Sequence, residues 1–128
     1  MIIREKVRMM IESVGLVIAE SKIVVMDGRA LEIIYSDLDK RFRKVIFQLF
    51  RNTPVEITLV TGENAIDALL EIAGTELDPV DCAPNSIRFR LGGRKPLMID
   101  GVRCYANIIH RPRNQTEAEK GIELFRMF

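Results

Sequence analysis

A chain of 128 residues has the length of one domain, 1–128, and its 48% apolar and 29% charged residues suffice for a buried core without disulfide or metal staples. A net charge of +1 excludes a strong overall pull toward polyanions, and two distant cysteines, Cys82 and Cys104, exclude a disulfide framework. The single histidine, His110, has no Cys or His neighbour in sequence, so no tightly bound metal is expected. Arg4, Glu5, Lys6, Arg8 and Glu12 interrupt the apolar opening, which fits neither a signal peptide nor a membrane span; a cytoplasmic chain with reduced thiols and no membrane contact is the expectation.

The elements follow in order. Val7, Met10, Ile11 and Val14 recur at helical spacing, predicting a helix over 3–14, with Gly15 as its left-handed stop. Leu16 to Met26 reads as extended. Asp27 is placed to cap a short helix through Tyr35, and Ser36 or Asp37 to cap a longer one striped by Leu38, Phe42, Val45, Ile46 and Leu49. Asn52-Thr53-Pro54 stops it. Val55, Ile57 and Leu59 alternate with Glu56 and Thr58, the period of a half-buried strand. A helix over 63–73 ends at Gly74, and 75–86 reads as loop.

Beyond the loop, Ile87 to Leu91 is expected to be extended. Asp100-Gly101, between Leu97-Met98-Ile99 and the run Val102 to Ile109, is a strong hairpin signal. Thr116 and Glu119 predict a capping box for a last helix. Helices packed on one side of an antiparallel sheet satisfy this order, an α+β fold.

Two segments are more specific. Thr61-Gly62-Glu63-Asn64-Ala65 opens a helix followed by Asp78 to Arg88 with a Ser86-Ile87-Arg88 ending, and Asn107-Ile108-Ile109-His110 follows later. Together with Ala118-Glu119-Lys120 and Ile122 to Phe125, these segments resemble the nucleoside diphosphate kinase family. The resemblance implies a ferredoxin-like antiparallel sheet. It also implies a ping-pong reaction in which a histidine takes a phosphoryl group from a nucleoside triphosphate, with Mg2+ brought by the nucleotide, and passes it to a diphosphate. A neutral imidazole is nucleophilic near pH 7, which suits that chemistry.

Carried over by resemblance, His110 is the nucleophile and Asn107 holds the nucleotide sugar or phosphate. Arg88 clamps phosphate, Tyr35 lines the nucleotide side, Phe42 stands in for the base-stacking aromatic, and Thr75 maps to the phosphate-touching threonine. Homo-oligomers are usual in the family.

The chain also departs from the pattern. The family's first, central strand with its Lys-Pro-Asp ending has no counterpart; a misassigned start is one explanation and a true loss the other. Between Arg88 and Asn107 the chain is longer than the family pattern, so the inserted hairpin, 92–105, is expected to fill the central slot. A second phosphate-binding arginine falls at Leu70. The Gly-Ser-Asp after the histidine is Arg111-Pro112-Arg113, and the glutamate that orients it falls at Gly121, with Glu117 as a nearby substitute. Weak or absent phosphoryl transfer is expected, since removing one charge-stabilising donor lowers rates by about 10²–10³.

A different reading rests on charge. Arg88, Arg90, Arg94, Lys95, Arg103, Arg111 and Arg113 crowd one stretch with a single acid, Asp100. It reads either as a solvated face or as a surface for nucleic acid or a protein partner, with Arg90, Arg94, Lys95, Arg111 and Arg113 as polyanion contacts. It contains no known RNA-binding motif.

Overall fold

The computed structural model describes residues 2–35, 39–93, 97–99, 101–104 and 108–128, and of residues 102 and 104 the backbone only. Its first helix, α1, spans Ile3–Ser13 and buries Ile11, with Val7 and Met10 half-buried beside it. Gly15 follows with φ of 84°, the left-handed stop that its position calls for.

Strand β1 (Val17–Val25) pairs antiparallel with β2 (Pro54–Thr61), from Val17 opposite Thr61 to Val25 opposite Pro54, with a register shift between Ile18 and Glu20. Between them lie α2 (Gly28–Ile34) and α3 (Lys40–Phe50). Asp27 caps α2 as expected, its Oδ1 accepting from Ala30 N at 2.9 Å. The cap of α3 is Asp39, which accepts from Phe42 N at 3.0 Å; Ser36, Asp37 and Leu38 lie outside the described residues.

Helix α4 (Ala65–Ala73) starts two residues later than the apolar pattern suggests. Asn64 occupies the left-handed region at φ 49°, which its short polar side chain tolerates, and the helix propagates only beyond it. The loop after Gly74 contains one turn of 3-10 helix, Pro79–Asp81.

The expected strand at Ile87–Leu91 is instead a helical turn, α5. Ser86 Oγ accepts from Phe89 N at 3.3 Å, capping the turn, while Ile87 and Leu91, four residues apart, reach the same apolar cluster. The alternation Ile87, Phe89, Leu91 fits a strand equally well by composition; the cap decides.

The hairpin forms as the Asp-Gly signal predicts: β3 (Leu97–Ile99) pairs antiparallel with β4 (Val102–Cys104). It does not fill a central slot. Among the described residues it is a separate two-stranded sheet, and Gly101 O accepts from Arg41 Nη2 of α3 at 3.4 Å. With three residue pairs and with Leu97 and Met98 exposed, it buries too little apolar surface to displace a core strand.

The last helix, α6, spans Gln115–Met127. Its cap is Asn114, which accepts from Glu117 N at 2.9 Å, and Thr116 lies inside the helix rather than capping it.

Helices α1 and α4 share one face of the ribbon, where Ile11, Leu16 and Ile87 form a core with Val7, Met10, Ile18, Val60 and Leu69 around it. On that face Arg8 binds Ser21 Oγ at 3.1 Å and Glu56, and Arg4 pairs with Glu56 at 3.1 Å. A second pair, α2 and α6, covers the opposite face, where Met26, Ala30, Leu31 and Leu124 pack with Val24 and Val55. No helix among the described residues is long and apolar enough to cross a membrane.

Candidate functional site

Residues 108–113 run between the two cores. Ile108 and Ile109 pack into the α1–α4 cluster, while the ring of His110 lies against Tyr35, a member of the other cluster, with centroids 5.0 Å apart and planes tilted by 56°. Tyr35 is backed in turn by Phe50, stacked at 6.4 Å. Phe50 was not a sequence candidate, and the apolar stripe read for α3 ended at Leu49. Phe42, the expected base-stacking aromatic, is exposed on the same helix.

His110 is exposed to solvent, yet its pKa is pushed down to about 4. Burial of much of the ring's surroundings is the largest cause; the positive charges of Arg111 and Arg88 act the same way, Glu117 opposes them, and Arg113 adds a little more. Solvent reaches one side of the ring, while its neighbours disfavour the charged form. At pH 7 the imidazole is neutral and reachable.

Arg88 does not project toward solvent. Only 4% exposed, it donates from Nη1 to Glu76 O at 2.8 Å, and from Nη2 and Nε to Ile109 O at 2.9 and 3.3 Å. Burial lowers its pKa below the usual arginine value. It therefore holds the residue before His110.

Arg111, expected among surface polyanion contacts, is instead 6% exposed, and its Nη2 and Nε donate to Gly74 O at 2.9 and 3.1 Å. Both neighbours of the histidine are thus held through buried guanidinium groups: Arg88 binds the carbonyl of Ile109, and Arg111 itself binds that of Gly74. Burial, then the charges of Arg88 and Arg113, push the pKa of Arg111 down to about 10.

Gly74 makes the arrangement possible. It has φ of 120°, and a Cβ there would stand 2.9 Å from Cys82 Sγ and 3.0 Å from Arg88 Cβ. Cys82 is the expected packing thiol, buried, with its Sγ donating to Glu76 O at 3.3 Å.

The remaining candidates are dispersed. Arg113 is exposed and pairs with Glu117 at 3.1 Å. Burial raises the pKa of the Glu117 carboxyl, but the hydrogen bonds from Arg113 outweigh it and the net shift is downward. Thr75 is exposed, its Oγ1 donating to Glu76 Oε1 at 3.4 Å. Arg90 lines a groove with Lys6, Met9 and Met10. Asn107, Arg94 and Lys95 lie outside the described residues.

No three His, Cys, Asp or Glu side chains gather as a metal site among the described residues. Glu117 lies near enough to His110 to act on its charge but is engaged by Arg113, so the described donor set offers no carboxylate cage for a divalent ion.

The family description "Nucleoside diphosphate kinase" matches residues 2–127. Nucleoside diphosphate kinase from Pyrococcus horikoshii is 31% identical over 115 residues, covering 89% of this chain and 69% of the relative. Its counterpart from Pyrococcus abyssi is 29% identical over 115 residues, covering 89% and 68%. Among solved structures, apo nucleoside diphosphate kinase from Encephalitozoon cuniculi, in a cubic crystal form, superposes with a TM-score of 0.81 at 26% identity, covering 96% of this chain and 78% of that one. By fold, by sequence and by the span of the match, the chain belongs to the nucleoside diphosphate kinase family.

Proposed function

We propose that the chain binds a nucleoside di- or triphosphate beside His110 and transfers phosphoryl groups through that imidazole weakly at best. The supporting observation is a neutral, accessible ring against Tyr35, with the residues before and after it held through Arg88 and Arg111. In the forward step an imidazole nitrogen would form a bond to the γ-phosphorus while the bond to the bridging oxygen breaks, releasing the diphosphate. An oxygen of a second nucleoside diphosphate would then take the group, breaking the P–N bond. Mg2+ would arrive on the nucleotide phosphates and neutralise charge there, since the described side chains form no site of their own for it.

Weakness follows from where the cations point. Arg88 and Arg111 spend their donors on carbonyls, Arg113 is paired with Glu117, and Leu70 offers no charge. Each missing donor to the transferring group lowers the rate by about 10²–10³. Asn107, Tyr35, Phe42 and Thr75 complete the proposed nucleotide contacts.

The same reading makes the chain a cytoplasmic homo-oligomer, in keeping with the exposed apolar residues Val17, Ile23 and Val25 along β1. A binding module that uses the basic stretch 88–113 for nucleic acid or protein is the weaker reading. Burial withdraws Arg88 and Arg111, two of its cations, from the surface such a partner would meet.

Incubation with γ-labelled ATP and Mg2+ tests the proposal. Slow incorporation of an acid-labile label is expected, absent from His110→Ala. An unlabelled wild-type chain under saturating nucleotide would overturn transfer through His110, and no binding by equilibrium dialysis would overturn the nucleotide site as well.

A further inference from the structure

We infer that Arg111 is a positioning residue for His110: its buried guanidinium bolts the chain just after the imidazole to the C-terminal carbonyl of α4 and so fixes the ring against Tyr35. The inference deepens the proposed function, because it concerns the same imidazole.

The geometry is specific. Arg111 directly follows His110, is 6% exposed, and gives two donors of one guanidinium face to a single acceptor, Gly74 O. The acceptor is itself closely packed. Gly74 ends α4, its N–H donates to Leu70 O at 3.0 Å, and the space where its side chain would be is filled by Cys82 and Arg88. On the other side of the ring, Arg88 holds Ile109 O. The residue before His110 is therefore tied to α5 and the residue after it to the end of α4.

A buried cation placed there has a second consequence. His110 faces Tyr35 from α2 and Arg88 from α5, with Arg111, Arg113 and Glu117 from its own segment and α6. Arg111 is the strongest of the cations acting on the ring, so it discourages protonation of the group it positions.

A lysine at 111 would keep the charge but not the forked donor, and a glutamine would keep one donor without the charge. The chain has one histidine, so its imidazole C2 proton can be followed by NMR without assignment. In the wild type that resonance should be displaced by the Tyr35 ring current and should titrate near pH 4. In Arg111→Gln the displacement should shrink and the midpoint should rise by about one pH unit. In Arg111→Lys the displacement should shrink while the midpoint stays low. Labelling by γ-labelled ATP should slow about tenfold or more in both, as expected for a misplaced nucleophile.

A merely structural arginine would lower the thermal midpoint and leave the imidazole resonance as it was. An unchanged ring-current displacement in whichever variant remains folded by circular dichroism overturns the inference. Since the NMR readings use no nucleotide, a wild-type chain that takes no label would defeat the proposed transfer and leave this test intact.

Discussion

Gly74 and the two arginines beside it pack closely around the candidate site. A methyl group at Gly74 would have to enter space 2.9 Å from Cys82 Sγ and 3.0 Å from Arg88 Cβ, on a backbone whose φ of 120° already disfavours any side chain. Gly74→Ala should therefore lower stability by about 2–4 kcal/mol, backbone strain and overpacking adding together. Urea unfolding measures it, and a loss below about 1 kcal/mol would mean that the neighbours give way. At this scale Asn-Ile-Ile-His is a specific run of residues, and it singles out His110 as the candidate nucleophile. The work of Arg88 and Arg111 was not legible, since a guanidinium that binds main-chain carbonyls leaves no complementary acid in the sequence to find. Their burial goes against the habit of reading clustered arginines as surface.

Among elements, α6 carries the segment that holds Glu117 near His110, and its start depends on Asn114. Asn114 accepts from Glu117 N, and the Glu117 carboxylate reaches back to the backbone N–H of Arg113 at 3.2 Å. Asn114→Ala should cost about 1 kcal/mol, whereas Thr116→Ala should stay within about 0.5 kcal/mol, as measured by thermal unfolding. Equal losses would restore Thr116 as the cap. Period and punctuation made α1, α2, α4, β1 and β2 legible, because long apolar stripes with capping residues at their ends specify both type and place. Helix α5 escaped because five residues are too few to separate period two from period four. The hairpin's pairing was readable from Asp100-Gly101, but its location was not: which surface a three-residue strand joins depends on tertiary contacts such as Arg41 to Gly101.

Over the whole molecule, the two apolar cores lie on opposite faces of one β ribbon, and the segment carrying His110 contributes to both. Folding stability should therefore report on the protonation of that imidazole. Unfolded, it titrates near 6.5, and folded near 4, so between these values the unfolded chain binds the extra proton. Stability is then full above pH 6.5 and declines as pH falls toward 4. Glu117, whose folded carboxyl is also depressed, has the same sign but acts only below its ordinary value of 4.5, so the interval from pH 7 to 5 isolates the histidine. On the alkaline side the signs oppose. Burial pushes Tyr35 up to about 12, which removes stability as pH rises past 10, while Arg111, pushed down to about 10, gains from losing its proton over that range. The pH profile should therefore be steeper toward acid than toward base. Urea midpoints measured from pH 7 to 5 should fall for the wild type and stay nearly level for His110→Gln. Two parallel curves would show that His110 is as well solvated in the folded chain as in the unfolded one, and so not held between the two cores at all.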